Sequence, residues 1–376
     1  MTALISIVSL TLTGFYLSVL TYLIRGWNVK NYPPINSSTF NTKVTVLIAA
    51  RNEEERIHLT IEDILAQDYP KHLTEIIIVD DHSTDRTSEV IQCYADRGVK
   101  LLQLNEDKPL NSYKKKAIAD AIKLSSGELM VATDADCRMG SQWLSAIVGF
   151  YEREQPVMIS SPVTYFEERS LFEWMQTLEF GYLIGFGAAF INNGHASTCN
   201  GANLAYRKDV FYEVGGFKGI DNIASGDDEL LLQKVAKRFP GKVMFLKQFE
   251  AVVFTHAKHT FNEFMQQRRR WASKSVKYKD KKVVAVLVGI WLFNISMLVN
   301  GCLSFYDIYF LKLFTLQFLL KYLFELAYLL PISLFFKRPK LIGLLIIIIP
   351  VHIFYLIWIG FMGNTSAYTW KGRVVR

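Results

Sequence analysis

Apolar residues are unevenly spread along this chain of 376 residues. Residues 3–24 carry no charge, and three further apolar runs occupy residues 283–305, 308–336 and 341–362, while the middle alternates apolar and polar positions. A helix needs about 20 apolar residues to cross a hydrocarbon layer roughly 30 Å thick. The pattern therefore predicts an N-terminal membrane segment and up to three C-terminal ones flanking a soluble middle.

The first run reads as an anchor, not a cleaved leader. No basic residue precedes it, no small-x-small site follows it, and Arg25 and Lys30 come next, as on the cytoplasmic side of a membrane helix. The third run contains Lys312, Lys321 and Glu325. Two readings are open: the segment packs on something polar, or Lys312 lies at the interface while Lys321 pairs with Glu325 one turn on. Basic clusters at 277–282 and 337–340 are expected in the cytoplasm, which makes the first two C-terminal segments a hairpin. The last segment, interrupted by Pro350, either spans or re-enters; re-entry would keep the basic tail WKGRVVR inside.

In the middle, "VTVLIAA", "EIIIVDD", "VKLLQL" and "ELMVATD" read as buried strands, and helical spacing appears between them. This predicts an α/β fold with a parallel sheet covered on both faces. Ligands of such sheets bind beyond the carboxyl ends of the strands. Those positions hold Arg51, Asn52 and Glu53, then Asp80, Asp81 and Ser83, then Thr133, Asp134 and Asp136. Neither GxGxxG nor GxxxxGK[ST] is present, so a metal is the expected carrier of phosphates. In "TDADC", alternate residues in extended geometry would aim both carboxylates at one hard cation, Mg2+ or Mn2+; the competing reading has one of them cap a helix starting near Ser141. A second acidic cluster, "SGDDELLL", also suits the first turn of a helix.

The net charge of +7 resides largely in the juxtamembrane clusters, so anionic lipid is its expected partner and nucleic acid is not. Four cysteines without ligand spacing fit a reducing compartment. His195, His256 and His259 lack zinc spacing and are read as structural or acceptor-side groups. "LFEWMQTLEFGYLIGFGAAF" is apolar but holds Glu173 and Glu179, which suggests an interfacial helix packing the soluble part on the bilayer. "QQRRRW" could be a basic amphipathic helix on lipid phosphates, or a site where arginine forks clamp phosphate oxygens beside an indole.

Six stretches, "AARNEEERI", "VDDHSTDRT", "GELMVATDADC", "CNGANLAYRKDVFYEVGGF", "SGDDEL" and "QRRRW", together resemble the membrane-integrated family 2 glycosyltransferases of GT-A fold, in the branch of polysaccharide synthases and ceramide glucosyltransferase. The resemblance implies a GT-A (Rossmann-like) catalytic domain over residues 42–250, an anchor over 1–25, interfacial helices over 251–282 and a transmembrane region over 283–376. It implies nucleotide-sugar contacts from Arg51, Asn52, Glu53, Asp81, Lys114, Asp134 and Asn203, with Tyr113 standing where relatives have glycine before the lysine. It implies a divalent cation on Asp134 and Asp136, a general base at Asp228, with Asp227 as the other register, and catalytic roles for Gln267, Arg268, Arg270 and Trp271. The implied activity is inverting transfer of a sugar from a nucleotide sugar, with UDP as the expected carrier, to a lipid or glycan acceptor at the cytoplasmic face of a plasma or inner membrane. A processive synthase coupled to export, and a non-catalytic nucleotide-sugar-binding subunit, are the alternatives.

Overall fold

The structure is a computed structural model and describes residues 2–28, 39–106, 110–223, 225–272, 281–362, 368–370 and 373–375. Lys30, most of the 277–282 cluster and parts of the WKGRVVR tail lie outside the described residues. The chain forms two compact units.

The first is a sheet unit. Its strands are β1 (Val44–Ala50), β2 (Thr74–Asp80), β3 (Val99–Gln103), β4 (Leu129–Asp134), β5 (Arg138–Met139), β6 (Met158–Ser160), β7 (Val163–Tyr165), β8 (Leu204–Arg207), β9 (Val243–Phe245) and β10 (Val253–Thr255). The main sheet runs β3-β2-β1-β4-β8-β6-β9, and β5-β10-β7 form a small second sheet. β3, β2, β1 and β4 are parallel, and β8 pairs antiparallel with both β4 and β6. Nearly every residue of β1, β2 and β4 is buried, as expected of strands covered on both faces. Register aligns the rim: Ala50 pairs with Asp80, Ala49 with Asp134, and Asp80 with Gln103.

The second unit contains α1 (Thr2–Asn28) and the chain from Lys258 through the last membrane-length helix. The sheet unit's own helices are α2 (Ile57–Leu65), α3 (Thr87–Gln92), α4 (Tyr113–Leu124) and α5 (Trp143–Glu154). α6 (Leu171–Asn192) belongs to the second unit up to Ala189. α7 (Lys208–Glu213) and α8 (Glu229–Arg238) return to the sheet. The second unit then adds α9 (Phe261–Ala272), α10 (Lys281–Leu303), α11 (Ile308–Phe335) and α12 (Leu345–Met362). α2 and α4 bury Ile57, Ile61 and Ile64, and Ala117, Ile118, Ala121 and Ile122, at helical spacing.

The long helices invert that logic. α1 buries Ser6, Ser9, Thr13 and Tyr16 on one stripe and exposes Leu4, Ile7, Val8 and Leu10. Gln317 donates to Thr13 and Ser296, and Asn300 donates to Ser9 and Gln317. Polar groups inside and apolar groups outside suit a bundle whose surroundings are hydrocarbon. Residues 2–28, 283–303, 308–335 and 339–361 are long and apolar enough to cross a membrane. Lys321 pairs with Glu325 one turn on, at 2.7 Å, and also donates to the Tyr16 hydroxyl at 3.1 Å, a polar group of another helix. The expected break at Pro350 is corrected, since that residue sits inside an uninterrupted α12. An 18-residue helix extends about 27 Å.

Candidate active site

The candidate site lies on the carboxyl rim of the sheet unit. Lys114, at the start of α4, places its ammonium 2.7 Å from Asp134 Oδ1 at the end of β4 and 3.2 Å from Asp227 Oδ2 in the turn before α8. Three segments distant in sequence thus meet at one cation. Burial works against the charge on Lys114, but attraction from Asp134, Asp227 and Asp228 outweighs it and holds the ammonium above its ordinary range.

Lys115 points elsewhere. Its buried ammonium donates to the carbonyls of Ile223 (2.5 Å) and Ser225 (2.8 Å) and so fixes the approach to the acidic turn. Sequence reasoning missed it. Its signal was only a lysine run at a helix start, which normally reads as a solvated face. Gly226 follows at φ +80°, and a side chain there would meet Leu230. Asp228 then caps α8, accepting from Glu229 N (2.7 Å) with one oxygen and from Gly201 N (3.0 Å) with the other. The two aspartates therefore differ: Asp227 faces the lysine, and Asp228 is oriented by backbone amides.

At the other end of the rim, Arg51 donates to the carbonyls of Asp81 (2.7 Å) and His82 (2.8 Å) and ties the end of β1 to that of β2. Asn52, at φ +50°, accepts from Thr84 N, and Glu53 N donates to Thr87. Asp81 is buried, and its carboxylate meets His82 Nδ1 at 3.2 Å. The structure thus gathers Arg51, Asn52, Glu53, Asp81, Lys114, Asp134, Asp227 and Asp228 within the sheet unit.

Three expectations are corrected. The TDADC stretch is not extended past Asp134: Ala135 and Asp136 form a turn closed by Cys137 N on the Asp134 carbonyl (3.3 Å). Neither aspartate caps α5, whose N-cap is Gln142 without a side-chain bond. Asn203 is fully buried, donates to Pro162 O and Ala251 O, and accepts from Trp143 Nε1. Both amide protons and the carbonyl are used in cross-linking the sheet unit, so its side chain presents nothing to a nucleotide sugar.

The arginine signature belongs to the other unit. Arg268 is buried, donates to Glu179 at 2.7 Å and lies over the rings of Phe264 (4.6 Å) and Trp271 (4.3 Å). Trp271 also stacks on Phe180. The expectation that Arg268 clamps diphosphate oxygens gives way to an interior ion pair capped by two aromatic faces. Gln267 and Arg270 are half-buried, whereas Gln266 and Arg269 are exposed.

The acidic rim supplies hard carboxylate oxygens, the donor chemistry of Mg2+ or Mn2+. Among the described residues no three His, Cys, Asp or Glu side chains are grouped to hold a metal. Asp134 and Asp136 alone would leave most of a six-coordinate shell to other oxygens, which suits a cation that arrives with a diphosphate.

Residues 45–215 match the family described as "Glycosyl transferase family 2". The chain carries a family 2 glycosyltransferase domain, and its fold is of the GT-A type. The mannosyltransferase PcManGT from Pyrobaculum calidifontis, solved with GDP-Man and Mn2+, superposes with a TM-score of 0.62 over 91% of this chain and 98% of that one, at 17% identity. Among curated proteins, beta-monoglucosyldiacylglycerol synthase from Nostoc sp. is 31% identical over 112 residues, 30% of this chain and 24% of that protein. Poly-beta-1,6-N-acetyl-D-glucosamine synthase from Staphylococcus epidermidis is 23% identical over 238 residues, 61% of this chain and 53% of that protein. The chain thus spans about a quarter to a half of the length of these curated relatives. Asp227, Asp228 and the arginine signature lie beyond the residues that match the family.

Proposed function

We propose that the protein is an inverting glycosyltransferase that moves a sugar from a nucleotide-sugar donor to a lipid or lipid-linked acceptor at the cytoplasmic face of a membrane. One observation carries this reading: Lys114, Asp134 and Asp227 converge from three segments on the rim of a family 2 glycosyltransferase domain. Lys114 binds the donor diphosphate as a point charge, and Asp81 and the Arg51–Glu53 turn hold the nucleoside. Asp134 and Asp136 would hold a divalent cation, which when bound supplies charge neutralisation for the diphosphate leaving group.

Asp228 is the base. Its carboxylate takes the proton of an acceptor hydroxyl while that oxygen forms a bond to the anomeric carbon and the bond to the nucleoside diphosphate breaks, so configuration inverts. The amides of Gly201 and Glu229 hold the carboxylate in place and each leaves lone pairs for the hydroxyl. Asp227 stays on the donor side with Lys114. The four membrane-length helices among the described residues are few for a polar export tunnel, and the Nostoc relative is named as a beta-monoglucosyldiacylglycerol synthase; both favour a lipid acceptor.

The test is mass spectrometry of products formed by native membranes from a panel of nucleotide sugars. The expected result is a lipid-linked monosaccharide from wild type. Asp228→Asn should bind donor and lose transfer by a factor of at least about 100. Normal turnover by that variant refutes the base assignment, and a polymer product refutes the acceptor.

A further inference from the structure

A carboxylate outside the motifs stands at the edge of this rim. Glu106 lies three residues beyond Gln103, the last residue of β3, and β3 is the outermost strand on that side of the sheet. Its side chain is only 9% exposed, both oxygens are buried, and neither accepts a hydrogen bond from the described residues. Beside it stands His82, whose Nε2 lies 3.2 Å from Glu106 Oε2 while Nδ1 lies 3.2 Å from Asp81 Oδ1. The imidazole therefore ties together two carboxylates borne by neighbouring strands.

The geometry of the ring is itself set. His82 adopts φ +53°, its carbonyl is held by Arg51, and its edge meets the Tyr113 ring at 5.5 Å and 81°. Tyr113 is the immediate neighbour of Lys114. Across the sheet the order is Glu106 after β3, Asp81 and His82 after β2, Arg51 after β1 and Asp134 on β4. Adjacent strands are about 4.8 Å apart, so Glu106 and Asp134 stand on the order of 14 Å apart along the rim. A nucleoside diphosphate whose phosphates lie at Lys114 and Asp134 has its base directed toward β2 and β3, where Tyr113 and His82 offer ring surface and two carboxylates offer acceptors.

A buried carboxylate with unmade hydrogen bonds is costly, and donors that complete it gain in proportion. Phosphate oxygens cannot donate to it; the N–H groups of a nucleobase and the ribose hydroxyls can, and of these only the base differs among nucleoside diphosphates. We propose that Glu106, held in place by His82, reads the hydrogen-bond donor edge of the donor's nucleobase and is a specificity-determining residue of the nucleotide-sugar site. This rests on the glycosyltransferase reading above, and it adds a base contact from the strand edge that the motifs do not include.

The experiment measures the affinity of the full chain in detergent for UDP, GDP, CDP and ADP by calorimetry, in wild type, Glu106→Gln, Glu106→Ala and His82→Ala. Both Glu106 variants are expected to change the ratio of affinities between the preferred base and the others by at least fivefold, and His82→Ala to shift it in the same direction. Equal weakening for all four nucleotides, or none, overturns the assignment of Glu106 while leaving the donor site standing. Wild type that binds no nucleoside diphosphate overturns both. The isosteric Glu106→Gln, checked by its thermal midpoint, separates lost recognition from lost fold.

Discussion

Lys114 and Lys321 are both lysines that meet carboxylates inside this protein, and they solve opposite problems. Lys321 is fully buried between long helices, and its partner Glu325 lies one turn along the same helix, with Tyr16 bonded to both. The pair is neutral and closed, and the Tyr16 ring covers the ammonium at 4.7 Å. Lys114 keeps 25% of its side chain exposed and faces Asp134 and Asp227, with Asp228 adding to the attraction. One positive charge there meets an excess of negative charge. A closed ion pair in apolar surroundings maintains a structure, whereas an open, unbalanced one leaves charge for a ligand to complete.

The largest expected effect tests the closed pair. Lys321→Met leaves Glu325 buried without its counter-charge and should cost about 3–5 kcal/mol of stability. Lys321→Met combined with Glu325→Leu removes both charges and should recover most of that loss, read by thermal unfolding in detergent. Equal destabilisation of the single and double variants would mean that the pair does more than satisfy itself.

A third pair, Glu75 with Lys100, shows a closed site within the sheet unit. Burial raises the Glu75 carboxyl, but bonds from Lys100, Ser126 N and Thr45 overcome it and hold the group at about 2. A carboxyl depressed in the folded state contributes stability that is present above its unfolded value near 4.5 and is lost as pH falls through 2. Solvent screening at the exposed Lys100 reduces the full difference, to about 2 kcal/mol. Urea midpoints between pH 5 and pH 2 should fall in wild type and fall less steeply in Glu75→Gln.

The open site should respond in activity. Lys114→Met should raise KM for the nucleotide sugar or lower kcat, with kcat/KM down about 10- to 100-fold, the loss of a charge-assisted phosphate contact. Its thermal midpoint should stay close to wild type, since Asp134 and Asp227 remain partly solvated. A large stability loss with unchanged kcat/KM would reverse the contrast with Lys321.

Which of these features the sequence discloses follows from how local they are. The four apolar runs and the strand–helix alternation rest on residues close in the chain, and they appear in the structure near their expected bounds. Lys321 and Glu325 are visible as a pair because they are four residues apart. The strand-end aspartates are legible because chain direction alone puts strand ends at the rim. Lys115 could not be foreseen, since it reaches carbonyls 108 and 110 residues away. Asn203 and Arg268 carry the residue types of a binding site, and only their long-range partners, 41, 48 and 60 residues away for Asn203 and 89 for Arg268, disclose their structural use.

The smallest effect tests whether the open site depends on a precisely held turn. Gly226 sits at φ +80° immediately before Asp227, between the carbonyls pinned by Lys115 and the first turn of α8. An alanine there adopts an unfavourable left-handed backbone, and its Cβ would lie 2.9 Å from Leu230 Cδ1. The strain is about 1 kcal/mol, and much of it can be relieved by shifting the turn. Such a shift moves Asp227 away from Lys114 and rotates the Asp228 carboxylate off the Gly201 amide. Gly226→Ala should therefore lower kcat more than stability: several-fold in transfer, against a change in midpoint of only a few degrees. No comparable split is expected at the closed pair, where Tyr16→Phe should lower the midpoint and leave kcat unchanged. If Gly226→Ala loses stability and keeps its kcat, the acidic turn tolerates displacement and the rim does not require the register that Lys115 imposes on it.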